Sequence, residues 1–194
     1  YDKLHNFILK HFKTFHYDYN NLIKKSFRDP VAKQLKLVFD KRKKLLYNAS
    51  RKKIEVLKIL NNNNFERCLV FCSFIEYCEG LKEYLLNNNI SCETFHSKNN
   101  NLQIIEDFRS GKIKILISCK SINEGFNLPA ADIAIITSGT KEERETIQRA
   151  GRILRFVEGK VAKLFNLYCS GTKEFDWLRE RLKGLDGYRN CVWR

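Results

Sequence analysis

From residue 68 onward, short apolar segments alternate with segments of helical periodicity, and this alternation constrains the fold more than any other feature. The apolar segments have the length of β-strands: CLVFC (68–72), SCETF (91–95), KIKILIS (112–118), DIAIIT (132–137) and VAKLFNLY (161–168). Several are apolar at consecutive positions, which is typical of strands covered on both faces. Helical patterns follow at 74–88, 100–110, 141–150 and 173–183. The sequence therefore predicts an α/β fold with three layers and a mainly parallel sheet.

Residues 1–64 differ, because they contain no convincing strand. The segment YDKLHNFILKHFKTF repeats apolar residues at helical spacing. Pro30 can open a further helix at its first turn. The helical pattern has a break near Asn48 and ends at the asparagine run 61–64. We therefore divide the chain into a helical segment at 1–64, an α/β domain at 65–185 and a tail at 186–194.

The charge balance indicates a polyanionic partner. Lysine and arginine number 36 against 22 aspartates and glutamates, which gives a net charge of +14. Nucleic acid is the commonest partner of so basic a chain. A solvated basic surface without such a partner is the alternative.

The seven cysteines favour a reducing compartment over a metal site or a disulfide framework. Their number is odd, no C-x-x-C pair occurs, and the spacings of Cys68, Cys72 and Cys78 do not suit zinc. We interpret them as small core residues. The longest apolar runs are strand-sized, and we expect no signal peptide. We expect an intracellular chain with no metal site and no membrane partner. Since it starts at Tyr1 and contains no methionine, we expect a piece of a longer protein.

Polar residues follow several predicted strands at the point where each strand ends. They are Ser73, the pair 96–97, the run 118–120 and the run 138–140. Because the carboxyl ends of parallel strands meet at one edge of a sheet, and ligands gather at that edge, these groups are candidates for one site. Hydroxyls, the N–H groups of helix starts and a lysine suit phosphates without sequence preference.

The order of these segments resembles the second RecA-like domain of a superfamily 2 helicase. The resemblance covers roughly residues 50–183. INEGFNLPAAD resembles motif V, QRAGRILR resembles motif VI and RCLVFCSFIEYCEGL resembles motif IV, while FHS resembles the strand-end segment that follows motif IV. The motif QRAGRILR begins with a glutamine, and in this it resembles the branch of XPB-like, UvsW-like and restriction-type DNA helicases.

The resemblance assigns nucleotide contacts to motifs V and VI. Phosphoryl transfer needs positive charge at the γ-phosphate, and the resemblance implies that Arg152 and Arg155 supply it as an arginine finger. Gln148 would face the nucleotide, and Gly125 and Asn127 match positions that meet the ribose and the domain interface. The family more often has aspartate where Asn127 stands, and an amide lacks that charge. A solvated basic helix face is the alternative for the arginines.

The resemblance also implies a nucleic-acid surface at the strand ends. The positions that match contacts to the phosphate backbone of one strand are Ser73, His96, Ser97, Ser118, Cys119 and Lys120. Cys119 stands where the family usually has threonine, so that contact is weakened or shifted to Ser118. Two local alternatives stay open, because Ser73 fits a capping box with Glu76 and His96 fits a packed residue at a strand end.

The sequence contains neither G-x-x-x-x-G-K-[ST] nor D-E-x-[DH], the motifs that cradle phosphates and bind magnesium. The family carries both on its first RecA-like domain. The resemblance therefore implies half of an ATP site, with ATP and Mg²⁺ bound mainly by that first domain of the same protein and no ATPase activity from this chain alone. The implied substrate is single-stranded or branched nucleic acid, with DNA favoured.

Two other functions are compatible with parts of this pattern. A stand-alone nucleic-acid-binding or regulatory module could keep the fold without the motor, although it has no need of a group that senses the γ-phosphate. An unrelated Rossmann-like transferase would need a glycine-rich loop after the first strand, which CSFIEYCEG does not provide.

Overall fold

The computed structural model describes residues 1–119, 128–139 and 162–182. The chain forms two compact units, a helical unit at Tyr1–Asn48 and an α/β unit at Ala49–Arg194. The helix predicted at 141–150 and the tail predicted at 186–194 lie outside the described residues. No helix in the described part of the chain has both the length and the apolar character needed to cross a membrane.

The helical unit contains α1 (Asp2–Phe12), a 3₁₀ turn (Lys13–Phe15), α2 (Tyr19–Lys25) and α3 (Pro30–Tyr47). Asp18 and Asp29 cap α2 and α3, because each carboxylate accepts hydrogen bonds from the first backbone N–H groups of its helix. Pro30 occupies the first turn of α3, as predicted. The core of the unit is formed by Ile8, Phe15, Leu22, Ala32 and Leu35.

A five-stranded, all-parallel sheet forms the centre of the α/β unit. Its strands are β1 (Cys68–Cys72), β2 (Glu93–Phe95), β3 (Ile115–Cys119), β4 (Ile133–Ile136) and β5 (Lys163–Asn166). The order across the sheet is β2-β3-β1-β4-β5, and every neighbouring pair is parallel. Each strand lies within a segment predicted from its apolar residues, apart from the last residue of β3. The parallel α/β prediction is therefore confirmed.

Helices cover both faces of the sheet. On one face, α4 (Arg51–Asn61) and α5 (Ile75–Leu86) pack side chains such as Val56 and Leu81 against Val70 and Ile117. On the other face, Ile105 of α6 (Leu102–Ser110) packs against neighbouring sheet residues. Because successive strand side chains point to opposite faces, this arrangement uses all the consecutive apolar residues of β1 and β3. The three-layer prediction is confirmed.

The helix α4 belongs to the α/β unit. Its residues Val56 and Leu60 are buried in the same core as β1 and α5. The predicted boundary at residue 64 therefore lies one helix beyond the division at Asn48. Helical periodicity identifies α4 but does not indicate what the helix packs against. The predicted break near Asn48 is confirmed, since α3 ends at Tyr47 and α4 begins at Arg51.

A buried ion pair joins α4 to the helix α7 (Lys173–Leu182). The Lys52 ammonium lies 2.7 and 2.8 Å from the two carboxylate oxygens of Glu174. Both side chains are almost fully buried. The backbone N–H of Cys169 also donates to Glu174 Oε2 at 2.9 Å. These contacts satisfy the carboxylate, so an ion pair fastens the first helix of the unit to its last described helix.

Candidate nucleic-acid interface

The carboxyl edge of the sheet has a topological switch point between β1 and β4. The chain leaves β1 toward β2 on one side and leaves β4 toward β5 on the other. In open α/β sheets, ligands bind in the crevice at such a point. Ser73 directly follows β1 and Ser138 lies just beyond β4, and their Oγ atoms are 3.0 Å apart. These two hydroxyls mark the place where the fold favours a ligand.

The Ser73 hydroxyl at this edge is not used to cap α5. The helix begins at Ile75 with Phe74 as its N-cap residue, and no side chain caps it. The capping box predicted for Ser73 and Glu76 is therefore wrong. The sequence marks Ser138 only as a polar residue at a strand end, and a hydroxyl next to an apolar strand is the signal that singles it out.

The turn after β2 presents Ser97 and Lys98 to solvent. His96 and Asn99 exchange two backbone hydrogen bonds of 3.0 and 2.8 Å, which close a tight turn with Ser97 and Lys98 at its tip. The side-chain amide of Asn99 donates to the Thr94 carbonyl oxygen at 2.9 Å, so the turn is fixed to β2. The Ser97 hydroxyl is accessible on an ordered segment.

His96 itself is buried beneath this turn, with 3% of its surface exposed. Its Nε2 lies 2.6 Å from Oε1 of Glu79 on α5, and its Nδ1 accepts the backbone N–H of Lys98 at 3.2 Å. Because Nδ1 is an acceptor, we assign the ring hydrogen to Nε2, which donates to Glu79. Both ring nitrogens are used inside the unit, which corresponds to the packed strand-end alternative.

Glu79 is held as a carboxylate by its partners. Burial is the largest single effect and raises the pKa of Glu79, but the hydrogen bonds from His96 and Thr94 and the electrostatic attraction of His96 and Lys82 together outweigh it. The resulting pKa lies below the ordinary value of a glutamate. Glu79 is therefore charged at neutral pH and fixes the orientation of the His96 ring.

Ser118 and Cys119 have enclosed side chains. Ser118 is 1% exposed, lies in register between Phe71 and Phe95 of the neighbouring strands, and its hydroxyl has no hydrogen-bond partner among the described residues. Cys119 is also buried, within the core that α4 and α5 form with the sheet. Among the predicted strand contacts that the structure describes, only Ser73 and Ser97 therefore have accessible side chains.

The described cysteines are free thiols, and all but Cys169 are buried. Cys72, Cys78 and Cys119 lie together: hydrogen bonds with Cys119 and Cys72, together with burial, raise the pKa of Cys78 far above its ordinary value. A thiol kept protonated in this way behaves as a small apolar group. The prediction that the cysteines are core residues is confirmed for these positions. Within the described ranges, no group of three or more histidine, cysteine or acidic residues could hold a metal ion.

The predicted nucleotide contacts fall outside the described residues. These are Gly125, Asn127, Gln148, Arg152 and Arg155, and the predicted strand contact Lys120 lies outside as well. Their roles, and the strand contacts proposed for Ser73, His96, Ser97, Ser118 and Cys119, stay predictions.

Residues 51–157 match the family model of the helicase conserved C-terminal domain. The chain belongs to the helicase C-terminal domain family. The match begins at the first residue of α4, the helix that the structure assigns to the α/β unit. It confirms the resemblance to the second RecA-like domain of superfamily 2 helicases.

Several curated relatives of this helicase C-terminal domain are longer proteins. The DNA 3'-5' translocase XPB2 of Sulfurisphaera tokodaii is 26% identical over 84% of this chain, which covers 37% of that protein. A putative DNA 3'-5' helicase Rad25 of Halobacterium salinarum is 30% identical over 74% of this chain and 24% of its own length. The UvrABC system protein B of Bacteroides thetaiotaomicron is 38% identical over 50% of this chain and 15% of its own length.

Solved structures show the same fold. The C-terminal domain of the DEAD-box protein Dbp5 superimposes with a TM-score of 0.59 at 18% identity, covering 73% of this chain and 82% of that one. A DEAD box protein from Methanococcus jannaschii superimposes with a TM-score of 0.56 at 22% identity, over 70% of this chain and 37% of that one. The RecA-like fold predicted for this helicase C-terminal domain is confirmed.

Proposed function

We propose that the chain is the C-terminal motor half of an ATP-dependent helicase or translocase that acts on DNA. The proposal is carried by the family match over 51–157, which spans every residue predicted for motifs V and VI. The relatives named as a DNA translocase and a DNA helicase favour DNA as the substrate. The partners in this proposal are single-stranded or branched DNA and a first RecA-like domain in the same protein, acting inside the cell.

The residue types fit a nucleotide without its metal. Arg152 and Arg155 offer guanidinium groups, and Gln148 and Asn127 offer amides, which together suit phosphate oxygens and ribose hydroxyls. Mg²⁺ prefers carboxylate oxygens and water, which this set does not provide. We therefore assign Mg²⁺ and the phosphate loop to the first domain. When bound, ATP supplies the phosphoryl-transfer free energy that drives the two halves through closing and opening.

Each group of this chain has a separate task in the proposal. The guanidinium groups of Arg152 and Arg155 stabilise negative charge that develops during phosphoryl transfer, and Gln148 senses the nucleotide state. At the sheet edge, Ser73 and Ser97 donate hydroxyl hydrogen bonds to phosphates, and Lys120 adds a positive charge. These contacts give affinity without sequence preference, as movement along a strand requires.

A variant pair separates strand binding from hydrolysis in the protein that contains both halves. Lys120→Ala is expected to weaken single-stranded DNA binding at every sequence, to reduce the salt slope of log K by about one, and to leave unstimulated ATP hydrolysis nearly intact. Lys112→Ala is the matched control, because Lys112 is an exposed lysine just before the amino end of β3, the strand that Lys120 follows in the sequence. Fluorescence anisotropy across a salt series measures the DNA affinity of both variants and its salt slope. Equal losses in the two variants would contradict the assignment of the strand to the carboxyl edge.

A further inference from the structure

The helical unit carries most of the net positive charge. Residues 1–48 contain twelve lysines and arginines and four aspartates, a net charge of +8 out of the +14 of the whole chain. The strand-end contacts proposed above all belong to the other unit, so they do not account for this charge. Dense positive charge on a small unit attracts polyanions.

Phe27 has 85% of its surface exposed, the largest value among the exposed large apolar residues that the structure describes. It lies in the turn between α2 and α3, outside the buried core of the helical unit. The ring therefore gains almost no stability from burial in this fold. A single exposed apolar residue is unremarkable by itself, and its surroundings give it significance.

The turn that holds Phe27 is ordered by hydrogen bonds. The N–H groups of Arg28 and Asp29 both donate to the Lys25 carbonyl oxygen, at 3.0 and 2.9 Å. The Ser26 hydroxyl donates to a carbonyl oxygen of α2 at 2.7 Å. The Asp29 carboxylate is engaged in capping α3. Phe27 is thus presented to solvent on a fixed turn, with little conformational entropy left to lose on binding.

Three exposed cations flank Phe27 in the sequence: Lys24, Lys25 and Arg28. Lys24 and Arg28 have no ion-pair partner within the described ranges, and the Lys25 ammonium lies 5.8 Å from the ring centroid of Phe15 while remaining exposed. An aromatic ring among unpaired cations is the combination found at sites for single-stranded nucleic acid, where bases stack and phosphates are neutralised.

We propose that the turn at 24–28, the basic-aromatic turn, binds single-stranded nucleic acid through stacking of Phe27 on a base. Lys24, Lys25 and Arg28 neutralise phosphates on either side of that base. A duplex presents no free base face to the ring, so the occupant is an unpaired strand. The ligand class rests on the proposed function, whereas the surface is additional to the sheet edge and belongs to the other unit.

Substitution of Phe27 tests stacking in the full chain. Phe27→Ala is expected to weaken binding of a single-stranded oligonucleotide about tenfold, and Phe27→Trp is expected to retain binding. Thermal melting should be unchanged, because the ring is exposed. Leu9→Ala is the matched control, since it removes another exposed apolar side chain, at 54% exposure, from α1. With 2-aminopurine in the oligonucleotide, the parent should quench its fluorescence and Phe27→Ala should not.

A charge reversal tests the cations. Lys24→Glu with Lys25→Glu should weaken binding and flatten its salt dependence, whereas Lys3→Glu with Lys10→Glu makes the same charge change at exposed positions of α1 and should have the smaller effect. The proposal is overturned if Phe27→Ala binds as tightly as the parent, or if it weakens duplex and single-strand binding equally. It is also overturned if Phe27→Ala weakens binding to anionic lipid vesicles but not to the oligonucleotide.

Parallel measurement of Lys120→Ala separates this proposal from the proposed function. If Phe27→Ala has no effect while Lys120→Ala weakens binding, the basic-aromatic turn fails and the sheet edge stands. If Phe27→Ala weakens binding and Lys120→Ala does not, the turn stands and the strand contact at the sheet edge fails.

Discussion

At the scale of single residues, the carboxyl edge depends on pairings that the sequence does not reveal. His96 was identifiable as a polar residue at a strand end. Its partner Glu79 lies on α5, and the carboxylate gave no signal because only the fold brings it within 2.6 Å of the ring. For the same reason, Ser118 looked like an accessible hydroxyl until the register of the sheet placed it between two phenylalanines.

Glu79 is expected to make the stability of the α/β unit depend on pH. Folding lowers its pKa, so its ionised form is favoured in the folded state. The contribution is complete above the ordinary pKa of about 4.3 and is lost as the pH falls through the lower folded value. Glu79→Gln should therefore destabilise the unit at pH 7, and the difference from the parent should shrink as the solution is acidified below pH ~4.

Urea unfolding at neutral and acidic pH measures this difference. Glu83→Gln is the control, because it removes the same charge from an exposed position on α5 that has no hydrogen bond to His96. A free-energy difference that stays constant between neutral and acidic pH would show that the Glu79 carboxylate is not stabilised by folding.

At the scale of elements, periodicity predicted what forms but not where each element packs. The strands and the described helices α5, α6 and α7 are close to their predicted bounds. For the strands this follows because burial on both faces requires consecutive apolar residues. The sequence pattern groups helix α4 with the preceding helices, since Val56 and Leu60 have the same spacing whichever core they pack in. The capping box at Ser73 failed because the helix begins later, at Ile75.

The ion pair between α4 and α7 is expected to be important for stability. Glu174→Ala leaves the Lys52 ammonium buried without its partner, so it should lower the free energy of unfolding by about 3–5 kcal/mol. Replacing both charges, as Lys52→Met with Glu174→Leu, should restore most of the loss because no uncompensated charge remains. Chemical denaturation measures each variant.

An exposed pair within α4 provides the comparison. Glu55 and Lys58 are ion-paired at the surface, so Glu55→Ala should cost less than about 1 kcal/mol. If Glu174→Ala were as mild as Glu55→Ala, the buried pair would not fasten α4 to α7.

At the scale of the whole molecule, the order of motifs in the sequence is enough to identify the family, because strands, strand-end polar residues and arginines follow one another in a fixed order. The structure confirms the parallel sheet that this order of motifs implies. The predicted nucleotide contacts stay predictions, since they lie outside the described residues: Gly125, Asn127, Gln148, Arg152 and Arg155.

The isolated chain is expected to bind single-stranded DNA and not to hydrolyse ATP. Phosphate contacts release counterions, so its affinity should fall steeply as salt is raised. The sequence lacks a phosphate loop, so purified chain should give no turnover above background. Binding that is insensitive to salt would contradict a phosphate-binding surface, and DNA-stimulated turnover that persists in Arg155→Ala would contradict the half-site.

The most direct test of the motor proposal is the ATPase kcat of Arg155→Ala in the protein that contains both halves. An arginine finger contributes about three orders of magnitude or more, so kcat should fall by that factor while DNA affinity and the thermal melt remain those of the parent. Arg155→Lys should not restore the rate, because lysine cannot reproduce the forked guanidinium. If Arg155→Ala folds like the parent and hydrolyses ATP at the parent rate, the arginines of QRAGRILR are not a finger and the motor proposal is wrong.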